Sequence, residues 1–155
     1  SSYQDDIKNF SKKINIARDS KVTNDFFIVA RIESFILGKS LKNALKRANA
    51  YSEAGADAIL IHSKEKKPNQ IFQFAKVFRK SKFYKPMIAV PSTYSKTYEK
   101  ELIKNGFKVV IYANQLLRAA YPQMLKTATQ ILKNGRAYDV EKSISSINEV
   151  LNIIK

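Results

Sequence analysis

The sequence predicts an α/β fold with a parallel sheet of at least four strands. Four short apolar runs recur along its 155 residues, and each is followed by an amphipathic helix pattern. A third observation concerns the ends of the first two runs. Arg31 closes FFIVAR and His62 closes ADAILIH, the chain's single histidine. A charged or titratable residue at the carboxyl end of each of two strands is how a parallel α/β protein assembles an anion site.

The expected strands are Phe26–Ile32, Ala56–Ser63, Pro86–Pro91 and Lys108–Tyr112. They read as nearly continuous apolar runs rather than alternating ones, which predicts burial on both faces. Between the first two, Leu41, Ala44, Leu45, Ala48 and Tyr51 share one face of a helix over 40–54, with Gly55 placed to stop it. Pro68 suits a first helical position, and Ile71, Phe72, Ala75 and Phe78 form the stripe of the next helix. Ser95 is the expected N-cap of a third helix carrying Leu102 and Ile103, with Gly106 near its end. A helical region over 115–133 contains Pro122, which predicts a kink or a fresh helix start. Two further helices flank this series. One precedes it, with Ile7, Phe10, Ile14 and Ala17 on one face; the other follows, capped by Asp139, with Ile144, Ile147, Val150, Leu151 and Ile154.

No linker, low-complexity tract or second domain interrupts this pattern, so residues 1–155 are expected to form a single domain. Four βα units are half of an eight-stranded barrel and would also suffice for a small open sheet. An open nucleotide-binding sheet would carry a glycine-rich turn, yet the four glycines form neither GxGxxG nor GxxxxGK[ST].

Composition removes other classes. Cysteine is absent, so there are no disulfides, thiolate metal sites or cysteine nucleophiles, which fits a cytoplasmic protein. No run approaches a membrane span, and no signal peptide is expected. A formal charge of +15 invites a nucleic-acid reading. Against it, the lysines are scattered, and abundant Lys, Asn and Ile match a base-composition bias of the coding DNA. No helix-turn-helix, RRM, KH or zinc-finger signature is present.

At IVARIESFILGKSLKNALKRANAYSEAGADAILIHSK, residues 28 to 64, the chain resembles the phosphoenolpyruvate mutase and phosphonopyruvate hydrolase branch of the isocitrate lyase superfamily. That family's pattern runs V-A-R-x-E, then L-x-x-A-L-x-R-A-x-A-Y, then G-A-D-A-I-L-x-H-S. MIAVPSTYSKTY and VVIYANQLLRAAYPQM are similar to its next strand and its eighth strand. The likeness runs from about Asp25 to Lys133. It implies a (β/α)8 TIM-type barrel of which this chain would be the C-terminal half, strands five to eight. It also implies an Mg²⁺ ion held by carboxylates, a small phosphorylated or phosphonate substrate, and a terminal helix exchanged between subunits of a homo-oligomer.

On this resemblance Arg31 matches the arginine contacting the phosphoryl or phosphonyl group, His62 a histidine of the same pocket, and Glu33 an orienting residue. The family's metal-binding aspartates and its E-D-K-x-x-x-K-x-N-S loop belong to the first four strands and do not occur here. The chain is therefore expected to need an N-terminal half and to be inactive alone. Gln115 departs from the pattern, standing where a histidine would follow A-N.

Chemistry at these residues has two readings each. Arg31 can pair bidentately with phosphate oxygens, or form a structural ion pair with Glu33. His62 can donate to a phosphoryl oxygen, or be a packed, hydrogen-bonded histidine. The hydroxyls of Ser63 and Ser92, with Pro91 and Thr93, lie where an anion would approach, or they only cap their loops. Lys64, Lys66 and Lys67 raise the local potential or form a solvated loop. Mutase, hydrolase and carbon–carbon lyase are not separable from these residues. A non-catalytic half-barrel that binds phosphorylated ligands, or pairs with itself, is the alternative.

Overall fold

The structure is a computed structural model that describes residues 3–153. Chain contacts divide it into two compact units, residues 1–113 and residues 114–155.

The first unit contains α1 (Ile7–Asp19), β1 (Val29–Ile32), α2 (Leu41–Glu53), β2 (Ala58–Ile61), α3 (Asn69–Phe78), β3 (Met87–Ala89), α4 (Glu99–Lys104) and β4 (Phe107–Val110). The strands form one all-parallel sheet in the order β1-β2-β3-β4. Sequential order with a helix in every crossover is what one half of a barrel requires. A register shift at Met87/Ile88 separates the β3–β4 pairing into two frames.

Side-chain alternation decides what each face carries. Ala30, Ile32, Ile59, Ile61, Met87, Ala89 and Phe107 enter one core with Ala44, Ala48 and Tyr51 of α2 and Ile71, Phe74, Ala75 and Phe78 of α3. The opposite face holds a small cluster of Ala58, Leu60, Ile88 and Val90. At its margins Val29, Val109 and Ile111 are exposed. The expectation of strands buried on both faces therefore holds for β2 and β3 and fails for β1 and β4. Among the described residues of this unit, the two outer strands have helices on one side and no second layer on the other.

Local chemistry sets the boundaries. Ser40 caps α2 by accepting from the Asn43 N–H, and Asp6 caps α1 by accepting from Lys8 and Asn9. Gly55 and Gly106 take φ of +109° and +94° where α2 and α4 turn into their strands. The positive φ is what calls for glycine at both turns, since the atoms a Cβ would meet at 2.6 Å belong to the flexible, exposed side chains of Arg18 and Arg79. Asp57 accepts from the Ile28 N–H at 2.8 Å and from Lys21 at 2.6 Å, fastening the approach to β1 against the start of β2.

Several boundaries differ from the sequence reading. Phe26 and Phe27 precede β1 and are exposed. Pro68 is the N-cap of α3 rather than its first residue. The cap of α4 is Tyr98, not Ser95, because Glu101 reaches back to the Tyr98 N–H at 2.9 Å and closes the first turn there. Ile103 faces solvent, leaving Leu102 as the buried residue of this six-residue helix.

In the second unit α5 (Gln115–Asn134) runs as one helix through Pro122, so no second helix begins there. Gly135, at φ +63°, ends it. Asp139 caps no helix; its carboxylate pairs with Arg136 at 2.8 Å. A short 3-10 turn (Glu141–Ser143) follows, then α6 (Ile147–Asn152), whose capping box joins Ser146 and Glu149. Ile144 lies before α6, and Ile154 lies outside the described residues.

Candidate functional site

Parallel strands bring all their carboxyl ends to one edge of the sheet, so Glu33, His62 and the turn at Ser92 emerge together. Arg31 pairs with Leu60, Leu60 with Ile88, and Ile88 with Val109, a row across the face that α2 and α3 do not cover. His62 follows Ile61, which is directed into the helix-side core, so it returns to the same face as Arg31. Its N–H donates to the Ile32 carbonyl at 3.3 Å, extending the β1–β2 ladder by one bond beyond the last strand residue.

Arg31 donates from Nε to Oε1 of Glu33, and the two side chains keep 52% and 32% of their surface in contact with solvent. No other side-chain hydrogen bond of Arg31 occurs among the described residues, so its terminal nitrogens remain available at the edge of the sheet. Glu33 thus aims the guanidinium while using only one of its N–H groups.

His62 is half-buried, and its Nδ1 is enclosed without a hydrogen-bond partner among the described residues. Burial holds its pKa below the ordinary histidine value. The charge of Arg31 acts in the same direction, and Glu33 opposes both. The ring is therefore neutral near pH 7 and can offer one N–H to an anion.

The remaining expected residues divide by their bonding. Ser63 is fully buried; its hydroxyl donates to Gln70 Oε1 at 2.6 Å and accepts from the Glu65 N–H at 3.1 Å. The Thr93 hydroxyl donates to the Ser63 carbonyl at 2.8 Å, tying the turn after β3 to the loop after β2. Ser92 sits in that turn, its N–H donating to the Val90 carbonyl at 2.8 Å. Lys64, Lys66 and Lys67 are exposed on the loop beyond His62. A cavity of about 750 Å³ lies over Ser95–Lys100 and Tyr112 and does not include Arg31 or His62. That pair stands on an open sheet face, so this unit does not enclose it.

Among the described residues no group of three or more His, Asp or Glu side chains is placed to hold a metal ion. The described residues do not fit an Mg²⁺ site of their own. Sequence reading also overlooked Tyr94, fully buried with its hydroxyl unpartnered among the described residues, and Arg47, a buried cation on α2. Arg47 stood in the quoted helix pattern, but nothing in the spacing marked it as buried.

The family model for phosphoenolpyruvate phosphomutase matches residues 1–132. The chain belongs to the phosphoenolpyruvate phosphomutase family. Within it, the phosphoenolpyruvate phosphomutase of Tetrahymena pyriformis is 39% identical over 147 residues, covering 95% of this chain and 48% of the relative. The crystal structure of phosphoenolpyruvate phosphomutase from Streptomyces platensis subsp. rosaceus superposes with a TM-score of 0.83 at 37% identity, over 95% of this chain and 50% of that one. Phosphonopyruvate hydrolase in complex with oxalate and Mg²⁺ gives a TM-score of 0.82 at 31% identity, over 98% and 55%. The chain spans about half the length of the curated relatives it matches. Its parallel sheet of alternating strands and helices is half of the family's (β/α)8 barrel.

Proposed function

We propose that this chain is the phosphoryl-facing half of an enzyme that interconverts phosphoenolpyruvate and phosphonopyruvate. The observation that carries the reading is the common face shared by Arg31 and His62 at the carboxyl ends of adjacent strands. There the terminal guanidinium nitrogens of Arg31 make no hydrogen bond among the described residues, and the half-buried ring of His62 lies beside them. Arg31 would hold two oxygens of a phosphoryl or phosphonyl group and stabilise its charge as the bond to phosphorus breaks and reforms. Neutral His62 would donate to a third oxygen. Glu33 fixes the direction of Arg31, and Ser63 and Ser92 belong to the loops that frame the ligand.

The exposed margins of the sheet face and the half-length match support an N-terminal half-barrel as the partner. In this reading that half supplies Mg²⁺ and its carboxylates, and the present chain is inactive alone. The bare apolar side chains Leu116, Leu117, Met124 and Leu125 on α5, with Val150 and Leu151 on α6, support association with another subunit through this helical end. The cysteine-free sequence fits the cytoplasm.

Hydrolysis of phosphonopyruvate is the second reading, favoured by the 33% identity to the Variovorax sp. phosphonopyruvate hydrolase over 95% of this chain. Joining the chain to the N-terminal half of the Tetrahymena relative and following phosphonopyruvate with Mg²⁺ by ³¹P NMR separates the two. Phosphoenolpyruvate as product supports the mutase, and inorganic phosphate supports the hydrolase. Turnover by the chain alone would overturn the half-site reading. A folded, ligand-binding but inactive joined protein would leave a non-catalytic half-barrel.

A further inference from the structure

Arg47 is only 8% exposed, yet no carboxylate pairs with it among the described residues. Its Nη1 donates to the Asp5 carbonyl at 2.8 Å and to the Tyr51 hydroxyl at 2.6 Å. Its Nε is buried and makes no hydrogen bond among the described residues. The nearby acids are committed elsewhere: the Asp5 carboxylate binds Lys13 at 2.7 Å, and Asp6 caps α1. A guanidinium taken from water without an anion is costly, and two neutral acceptors offset only part of that cost.

The same side chain lines a cavity of about 430 Å³ together with Tyr3, Gln4, Leu37, Lys39 and Asn43. This volume lies within the ~300–1,000 Å³ of small-molecule sites. Asn43 stands one helical turn before Arg47 on α2, and its Oδ1 is occupied by the Ser34 hydroxyl at 2.9 Å, which leaves its amide N–H groups as donors. Gln4 Oε1 is likewise buried and unpartnered among the described residues, and a half-turn of that amide presents NH₂ instead. Lys39 adds a second cation at the rim.

We propose that this pocket binds a small phosphate-class oxyanion, separately from the strand-end pair. With Nη1 engaged, the Nε edge of Arg47 is the side left without a bond among the described residues, and a guanidinium edge has the two-pronged geometry that oxyanions accept. Two cations match a dianion, whereas a carboxylate would leave one of them unmatched.

The test uses the ¹⁵N-labelled 155-residue chain carrying Arg31→Ala, which silences the strand-end pair, titrated with inorganic phosphate at constant ionic strength. Saturable shifts of the Arg47 Nε–H and the Asn43 side-chain amide are expected, with a rise in Tm on adding phosphate. Asn43→Asp keeps the acceptor for Ser34 and places a carboxylate one turn before Arg47. It should raise Tm without phosphate and weaken phosphate binding at least tenfold. Lys39→Ala, at an exposed position, should weaken binding several-fold with the fold unchanged. Unsaturable drift shared by the surface lysines, an undiminished response in Asn43→Asp, or equal affinity for acetate would overturn the proposal.

Discussion

Glu33 accepts a hydrogen bond from Arg31 on the sheet face that also carries His62, so the acid steers the guanidinium without enclosing it. The pair is half in solvent, and such pairs contribute roughly 0–1 kcal/mol to stability. Through this pair Arg31 therefore contributes little to folding.

Arg31→Ala should shift stability by less than about 1 kcal/mol. In the joined, active protein it should lower kcat by about 10²–10³-fold, the loss typical when one charge-stabilising donor is removed. Thermal melts and ³¹P turnover assays measure the two effects on the same samples. Full activity in Arg31→Ala would refute the assignment.

His62 predicts a pH dependence with a definite sign. Its folded pKa lies below the ordinary value of about 6.5, so the unfolded chain takes up a proton first as pH falls. The stability tied to neutral His62 is fully present above that value. It is lost progressively as pH drops toward the folded pKa. Relative to the parent chain, His62→Gln should gain stability on moving from pH 8 to pH 5. Denaturation midpoints at the two pH values test this, and an unchanged difference would rule it out.

Ser63 and Ser92 should part company. Ser63→Ala removes a buried hydroxyl that bonds both Gln70 and the Glu65 N–H, at a cost of about 1–2 kcal/mol. The side chain of Ser92 makes no hydrogen bond among the described residues, so Ser92→Ala should stay within about 0.5 kcal/mol. Urea melts compare them directly, and equal losses would contradict the bonding described for Ser63.

Arg31 and His62 could be placed at the carboxyl ends of two strands from the chain alone, because parallel strands align those ends; that they share one face followed from the β1–β2 register. The helix-side core was equally legible: Ala44, Ala48, Tyr51, Ile71, Ala75 and Phe78 are all buried. Local competition was harder to read. Ser95 has the chemistry of an N-cap, but Glu101 closes its box on Tyr98. Asp139 has it too, but Arg136 takes its carboxylate.

By itself the sequence determined the order of strands and helices, the helix faces that pack on the sheet, and the two residues at the strand ends, since these follow from periodicity and short-range geometry. Only the tertiary structure decided that β1 and β4 keep one bare face, that the hydroxyl of Ser63 is engaged on both sides, and that Arg47 is buried without a carboxylate partner among the described residues. Each of these depends on which distant groups meet in space: the Asp5 carbonyl reaches Arg47 across 42 positions of the chain, and no local pattern encodes that encounter.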